Sequence, residues 1–364
     1  MTIGGPQHEI WLTRPDGQRI SQLPTTERIE YTKTLNDPGA FTITLPSNFD
    51  DSFLQEGYRV EIWYKPEGGT SFLDFFGLIH KPTYATDERG LQTISIAGNR
   101  MLGILARRIV AYDSGTSQAK KTNSADDLIK AIVRENFGAS AGSRAINSAY
   151  FDVAGDTSQG VSVSKSFARR NVLEVCQEVA NASFEAGTPV YFDFARISEA
   201  KIQFQTYINQ QGTDQRDRLI FSLNRGNLKL PTYSLDYSLE RNIAYVGGQG
   251  QGEDRDIVTR SDIGRSGRNI WSRKEVFADQ RNINLTASLN SAGDDALRIG
   301  KPRKRFSAEL VSTGQTIYGK DWRFGDRITA LAYGQQFEGV IKSVTVIRDN
   351  TGYVSISARL EVEE

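Results

Sequence analysis

The chain has 364 residues and a mass of 40.5 kDa, with 38% hydrophobic and 24% charged positions, enough apolar content to bury at least two cores. Lysine plus arginine and aspartate plus glutamate both number 44, so the formal net charge is zero, which argues against a dedicated nucleic-acid binder and against an acidic disordered tail. One cysteine, Cys176, and two histidines exclude a disulfide framework and leave too few soft ligands for a structural zinc site.

A balanced charge gives little self-repulsion, as suits a subunit that resides in an assembly. Residues 1–6 lack the charged and apolar regions of a signal peptide. The longest apolar stretches, such as 101–106, fall far short of the roughly 20 residues a bilayer span requires. A soluble protein made in the cytosol, with no membrane-spanning segment, is expected.

In the first hundred residues, segments 8–13, 28–34, 41–45, 58–64, 75–79 and 93–97 are rich in β-branched and aromatic residues. Each is bounded by turn chemistry such as Pro15-Asp16-Gly17, Asn36-Asp37-Pro38-Gly39 or Glu88-Arg89-Gly90. Six short strands at this spacing predict a small antiparallel barrel or sandwich. The middle changes character. Ser124-Ala125-Asp126-Asp127 reads as a helix N-cap with first-turn acids, followed by the stripe Leu128, Ile129, Ile132 and Val133. A second helix is expected from about Asn171 to Ala182, then strands at 190–195 and 201–207, with 138–160 as a small-residue loop. From Tyr233 the strand rhythm returns at 233–239, 243–247, 256–260, 273–277, 306–311, 327–333, 340–347 and 353–362, interrupted by a helix-like insertion near 285–299.

The two β regions resemble each other. Leu54-Gln55-Glu56-Gly57-Tyr58-Arg59-Val60, Phe76-Gly77-Leu78-Ile79 and Gly90-Leu91-Gln92-Thr93-Ile94 end the first. Trp322-Arg323-Phe324-Gly325-Asp326-Arg327-Ile328, Glu338-Gly339-Val340-Ile341 and Gly352-Tyr353-Val354-Ser355-Ile356 end the second. Gly77 to Gly90 and Gly339 to Gly352 are both 13 residues, while Gly57 to Gly77 is 20 against 14 for Gly325 to Gly339. Six extra residues fit a longer surface loop around 66–71, and glycine in such strands permits a bulge where the sheet must bend. Any two β-meanders share some likeness, but duplication around an α+β insert is the better reading. Its consequence is geometric: three copies of a twice-made unit present six similar units around one axis.

The opening reads Glu9-Ile10-Trp11-Leu12, Pro15-Asp16-Gly17, Ile29-Glu30-Tyr31 and Leu35-Asn36-Asp37-Pro38-Gly39-Ala40-Phe41. Further along stand Gly98-Asn99-Arg100-Met101-Leu102 through Tyr112, Asn242-Ile243-Ala244-Tyr245-Val246-Gly247, Arg273-Lys274-Glu275-Val276-Phe277 and Phe324-Gly325-Asp326-Arg327-Ile328. In this ordered series the chain resembles the tail hub proteins of long-tailed phages. The resemblance implies a mainly β fold: two similar tube-type antiparallel barrels, residues 1–112 and 231–364, flanking a smaller α+β region at 113–230. It further implies a homotrimer that continues the six-fold tail tube, meets the distal tail or tube protein ring, and seats a central spike or fibre. Tape-measure protein and then DNA would pass through its channel without specific binding. The expected location is the tail tip of the virion, after assembly in the host cytoplasm. The chain stops at Glu364 without the long C-terminal extension of many relatives, so lytic or host-binding activity is expected on another polypeptide.

Enzyme signatures are thin, no catalytic residue is assigned, and no cofactor or metal is expected. P-loop and zincin motifs are absent. Gly247-Gly248-Gln249-Gly250-Gln251-Gly252 fails the dinucleotide spacing and reads as a loop. His8 and His80 read as strand polar positions, and the acid pairs Asp50-Asp51, Asp126-Asp127 and Asp294-Asp295 as turns and helix ends. Glu253-Asp254-Arg255-Asp256 lacks the ligand series of a calcium loop. The strongest charge cluster is Arg298, Lys301, Arg303, Lys304 and Arg305, which suits a solvated helix end, a neighbouring subunit, or DNA in a channel lumen. In Trp63-Tyr64 and Phe75-Phe76, period-two alternation sends one residue of each pair outward, as a partner surface or a sugar platform would require. Two alternatives therefore stand beside the hub: a carbohydrate-binding or glycan-depolymerising tail protein, and the hub of a contractile injection machine.

Overall fold

A computed structural model of the chain describes residues 5–24, 27–86, 88, 90, 92–111, 119–167 and 169–363. Arg89, Leu91, Tyr112 and Glu364, used in the sequence reading, lie outside the described residues. The chain divides into two compact units, one of Met1–Pro231 with Ala308–Glu361 and one of Thr232–Ser307 with Val362–Glu364.

The amino-terminal stretch forms β1 (Gln7–Thr13), β2 (Arg19–Leu23), β3 (Ile29–Thr34), β4 (Asp37–Pro46), β5 (Arg59–Lys65), β6 (Phe72–Thr86) and β7 (Gln92–Arg100). Alternation is clearest in β3, where Ile29, Tyr31 and Lys33 are buried and the residues between them are not. The middle carries β8 (Ala119–Ser124), α1 (Ala125–Phe137), β9 (Phe151–Val153), β10 (Ser162–Phe167), α2 (Val172–Glu185), β11 (Val190–Arg196), β12 (Ile202–Ile208) and β13 (Ile220–Ser222). The last third carries β14 (Leu228–Asp236), β15 (Ile243–Gly247), β16 (Ile257–Ser261), α3 (Ile263–Ser266), β17 (Glu275–Asp279) and α4 (Thr286–Ile299). It ends in β18 (Arg303–Val311), β19 (Arg327–Ala332), β20 (Gln335–Arg348) and β21 (Val354–Glu363).

The fold is mostly β, and the two terminal regions share one sheet of 13 strands, ordered β14-β18-β21-β20-β3-β4-β7-β6-β5-β1-β2 with β19 and β13 branching from β20. The expectation of barrels was drawn from each region alone. Among the described residues the strand path is open rather than closed, because β20 gives one long edge to β3 of the other region.

Within that sheet the same pattern occurs twice. The order β3-β4-β7-β6-β5 repeats as β14-β18-β21-β20-β19. The agreement extends to single residues. Gly57 and Gly325, each two positions before its strand, have φ of 86° and 81°. The Ile79 amide donates to the Tyr58 carbonyl, and the Ile341 amide donates to the Asp326 carbonyl, both at 2.9 Å. Each long strand then slips register two residues beyond its glycine, between Ile79 and Lys81 and between Ile341 and Ser343. Gly90 and Gly352 turn the chain back with φ of 79° and 86°, a region that favours glycine. Phe41, Ile43 and Leu45 in β4 are buried with the same spacing as Phe306, Ala308 and Leu310 in β18. A shared bulge and shared positive-φ glycines follow from a common backbone path, not from general strand propensity.

The bulged strand crowds its neighbour. A Cβ added at Gly98 would collide with the Leu78 carbonyl oxygen and the Phe41 ring. Gly98→Val is expected to lower the free energy of unfolding by about 1–3 kcal/mol, read by urea denaturation, because backbone rather than a mobile side chain must yield.

The middle region packs α1 against α2 and against β11-β12-β9. The predicted stripe Leu128, Ile129, Ile132 and Val133 is fully buried with Val172, Val175, Cys176, Val179, Phe192 and Phe204. Burial pushes the Cys176 thiol well above its usual pKa, so it is an inert core residue. Asn171 caps α2 as its position suggested, its side-chain oxygen accepting from the Leu173 and Glu174 amides at 3.0 and 3.4 Å. Ser124 does not cap α1. Its hydroxyl donates to Asp126 at 2.9 Å instead.

The second unit contains the sheet β16-β15-β17, with α4 against β15 and β16. Gly293 on α4 lets the helix approach Val246 and Arg260. No helix among the described residues is long and apolar enough to cross a membrane.

Candidate functional site

A cluster of buried polar groups gathers side chains from β3, from β6 and from the loop before β19. Tyr31 and Lys33 project from the same face of β3. The Tyr31 hydroxyl donates to Asp74 Oδ2 at 2.6 Å, and Lys33 Nζ donates to Asp74 Oδ1. Lys33 Nζ also lies 2.7 Å from the Tyr318 hydroxyl, which donates to Asp74 Oδ1 at 2.6 Å. One carboxylate from β6 thus gathers an ammonium and two phenols. Burial raises the pKa of both tyrosines well above the usual value, and the Asp74 charge adds to it. Burial lowers that of Lys33, with Asp74 opposing.

A second buried pair, Arg100 with Asp193, ties β7 to β11. Arg100 also donates to the Thr34 carbonyl at 3.1 Å, and Gln211 donates to Asp193 at 2.8 Å. Both pairs border a cleft of about 380 Å³ whose wall also includes Phe72, Arg196, Arg323 and Phe324. Its two carboxylates are paired with protein cations, so this arrangement joins strands. Neither Lys33, Asp74 nor Tyr318 was singled out from sequence, although the inward parity of Lys33 after Ile29 and Tyr31 was the available signal.

The aromatic pairs are placed differently from expectation. Trp63 does face outward and Tyr64 is buried, but Phe75 and Phe76 are both buried. Both faces of β6 are covered, since Phe76 belongs to the core formed with the middle region. Outside β5, the Arg19 guanidinium lies 4.7 Å from the Trp11 ring centre and 5.5 Å from that of Trp63. Buried Glu61 anchors it, 3.2 Å from Arg19 and 2.9 Å from Arg196. The indoles are therefore occupied by a cation–π stack within the chain. Arg19→Ala is expected to raise acrylamide quenching of tryptophan fluorescence, and an unchanged quenching constant would show that the stack does not shield them.

The remaining predicted positions are structural. His8 is half-buried between Tyr31 and Tyr64, with ring centres 6.1 and 5.0 Å away, and neither nitrogen has a hydrogen-bond partner. His80 is the exposed extra residue in the bulge of β6. Asp50 caps a short 3₁₀ turn, and Asp51 accepts from Tyr84. Asp126 accepts from the Gln159 amide and Asp127 from the Thr157 and Ser158 amides, pinning the loop after β9 over α1. Asp294 takes both Arg260 nitrogens at 2.7 and 3.1 Å. In the glycine-rich loop, Arg255 donates to the carbonyls of Gly247 and Gly248, and the Gly248 and Gln249 amides donate to the Asp256 and Ile283 carbonyls. Among the described residues no cluster of three His, Cys, Asp or Glu side chains suits a metal ion.

The basic run is split by local structure. Arg298 lies in the last turn of α4 beside Asp295, Lys301 follows the helix, and Arg303, Lys304 and Arg305 open β18. Alternation puts Arg303 and Arg305 on one face and Lys304 on the other. The helix end itself is served by Arg265, which donates to the carbonyls of Leu297 and Gly300.

Residues 8–360 match the profile of the Siphovirus ReqiPepy6 Gp37-like protein family. No curated protein matches the sequence. The fold is similar to that of a tail protein from Neisseria meningitidis MC58, at 12% identity and TM-score 0.55, covering 99% of this chain and 97% of that one. It is also similar to the 43 kDa tail protein of prophage MuSo2 from Shewanella oneidensis, at 15% identity and TM-score 0.56, covering 97% and 98%. A chain of the Francisella PdpA–VgrG complex shares the fold at 11% identity and TM-score 0.53, covering all of this chain and 58% of that one. The chain therefore belongs to the Siphovirus ReqiPepy6 Gp37-like protein family and has a fold shared with phage tail proteins.

Proposed function

We propose that this chain is a structural tail hub: a homotrimeric adaptor that continues a six-fold tail tube and seats a central spike or fibre. Its work is symmetry matching and channel formation, without catalytic turnover. The observation that carries this reading is the head-to-tail joining of two like modules, β20 of the second against β3 of the first. Three chains joined in the same sense would present six modules to a six-fold ring. In this reading residues 1–112 and 231–364 hold the two tube-type modules, and the 113–230 region stands between them. Arg298, Lys301, Arg303, Lys304 and Arg305 then face a neighbouring subunit or the lumen. Tape-measure protein and DNA pass without tight phosphate contacts, since a gripping channel would stall its cargo. The Trp11–Arg19–Trp63 stack speaks against a sugar platform. The fold shared with the PdpA–VgrG chain supports a second reading, the hub of a contractile machine.

The test is co-assembly. The purified chain is mixed with tail tube protein from the same phage and the complex is weighed by native mass spectrometry. Three chains per six-membered tube ring are expected, and a complex with one or six chains per ring would refute the adaptor role.

A further inference from the structure

The repeat makes a specific demand on the sheet. In the second module, residues 343–348 of β20 are flanked on both sides, by β21 and by β3. The register there sets Thr345 against Thr32 and Val346 against Tyr31, and the two threonine hydroxyls lie 2.8 Å apart. Counting from Gly339 and Gly77, the corresponding stretch of the first module is residues 81–86 of β6. That stretch pairs with β7 on one side only, because β5 ends its pairing with β6 at Leu78. Its other edge has no strand among the described residues. The consequence is visible in burial: Val344 and Val346 are fully buried, while Tyr84, the counterpart of Val346, is 60% exposed.

The complementary edge also carries no neighbouring strand among the described residues. β3 lies between β4 and β20, whereas among the described residues its counterpart β14 pairs with β18 and stands at the end of the strand order. Ile29 is buried in β3, while Leu230 in β14 is 76% exposed. An exposed strand edge with exposed apolar side chains is a template for pairing with another chain. Each edge carries one proline, Pro82 and Pro231, which removes a donor and limits indiscriminate pairing without blocking the neighbouring positions.

We propose that residues 81–86 of β6 in one copy pair antiparallel with β14 of the next copy, reproducing between chains the junction that β20 and β3 make within one. The partner is a second copy of this chain, and the interface is heterologous, joining unlike edges head to tail. This inference rests on the hub reading for its closure at three copies, but the choice of edges comes from the repeat alone.

The test uses two full-length single variants, Tyr84→Cys and Thr232→Cys, which the repeat sets opposite one another as Val346 is set against Tyr31, with the buried Cys176 left in place. Each is treated alone and as an equimolar mixture with a short bis-maleimide, and oligomeric state is measured in parallel by light scattering. Covalent dimers in the mixture, with none in either variant alone, are the expected result. Cross-linking of Tyr84→Cys with itself would mean a two-fold interface and overturn the pairing. A trimer whose mixture gives no cross-link would overturn the edge assignment and leave the hub reading standing. A mixed cross-link with open-ended oligomers would support the edges and refute closure at three. A chain that remains monomeric and uncross-linked at its solubility limit overturns both.

Discussion

Asp74→Ala is expected to destabilise the fold by about 3–5 kcal/mol, the usual cost of stripping one partner from a buried ion pair. The reason is local. Among the described residues Asp74 is the only carboxylate that Lys33 touches, and it also accepts from the Tyr31 and Tyr318 hydroxyls. Removing it leaves an ammonium and two phenols buried without their acceptor. Combining Lys33→Met with Asp74→Leu should recover a large part of that loss, since both charges then leave the interior together. The two phenols still lack an acceptor, at about 1–3 kcal/mol each, so adding Tyr31→Phe and Tyr318→Phe should recover more. Urea denaturation of the series measures each step. A loss below about 1 kcal/mol for Asp74→Ala would show that water reaches the cluster in solution.

Acid should destabilise the protein well above the range in which carboxylates titrate, and His8 is the cause. Burial lowers its pKa from 6.5 to about 4, with Asp74 favouring the charged ring and Arg348 opposing it. Neither ring nitrogen has a partner that would welcome a proton. As pH falls, the unfolded chain binds this proton first. The contribution of the neutral ring is therefore complete above pH 6.5 and is lost between 6.5 and about 4. At about pH 4.5 the loss amounts to about 2.5 kcal/mol relative to about pH 7.5. His8→Phe keeps an aromatic ring beside Tyr31 and Tyr64 and should remove that part of the acid sensitivity. Equal pH dependence in the variant and the parent would place the sensitivity elsewhere.

Much of the secondary structure was legible because it follows from period and punctuation. The β20 and β21 strands, α1 and α2 all lie where alternation or the helical stripe put them, within a few residues at their ends. β2 and the antiparallel β8–β10 pair were missed, since short polar segments such as Ala119–Ser124 carry no apolar alternation. The repeat was visible as glycine spacing, and the glycines proved to mark positive φ and a shared bulge, both backbone properties that a sequence records directly. The pairing of β3 with β20 was not visible. It joins residues more than three hundred positions apart, and nothing local encodes which edge meets which. Phe75-Phe76 misled for a related reason: alternation assigns opposite faces correctly, but only the packing of the middle region reveals that both faces are covered. The Lys33–Asp74–Tyr318 cluster has the same origin, three residues from separate segments whose common burial is a tertiary fact.

In the proposed hub, one module made twice in a single polypeptide would let three molecules imitate a six-membered ring. Averaged electron microscopy images of the assembled protein, viewed down its axis, test it most directly. The expected image is a closed ring of three chains with six similar lobes at even spacing. A ring of another order, or three chains whose lobes alternate between unlike shapes, would contradict it.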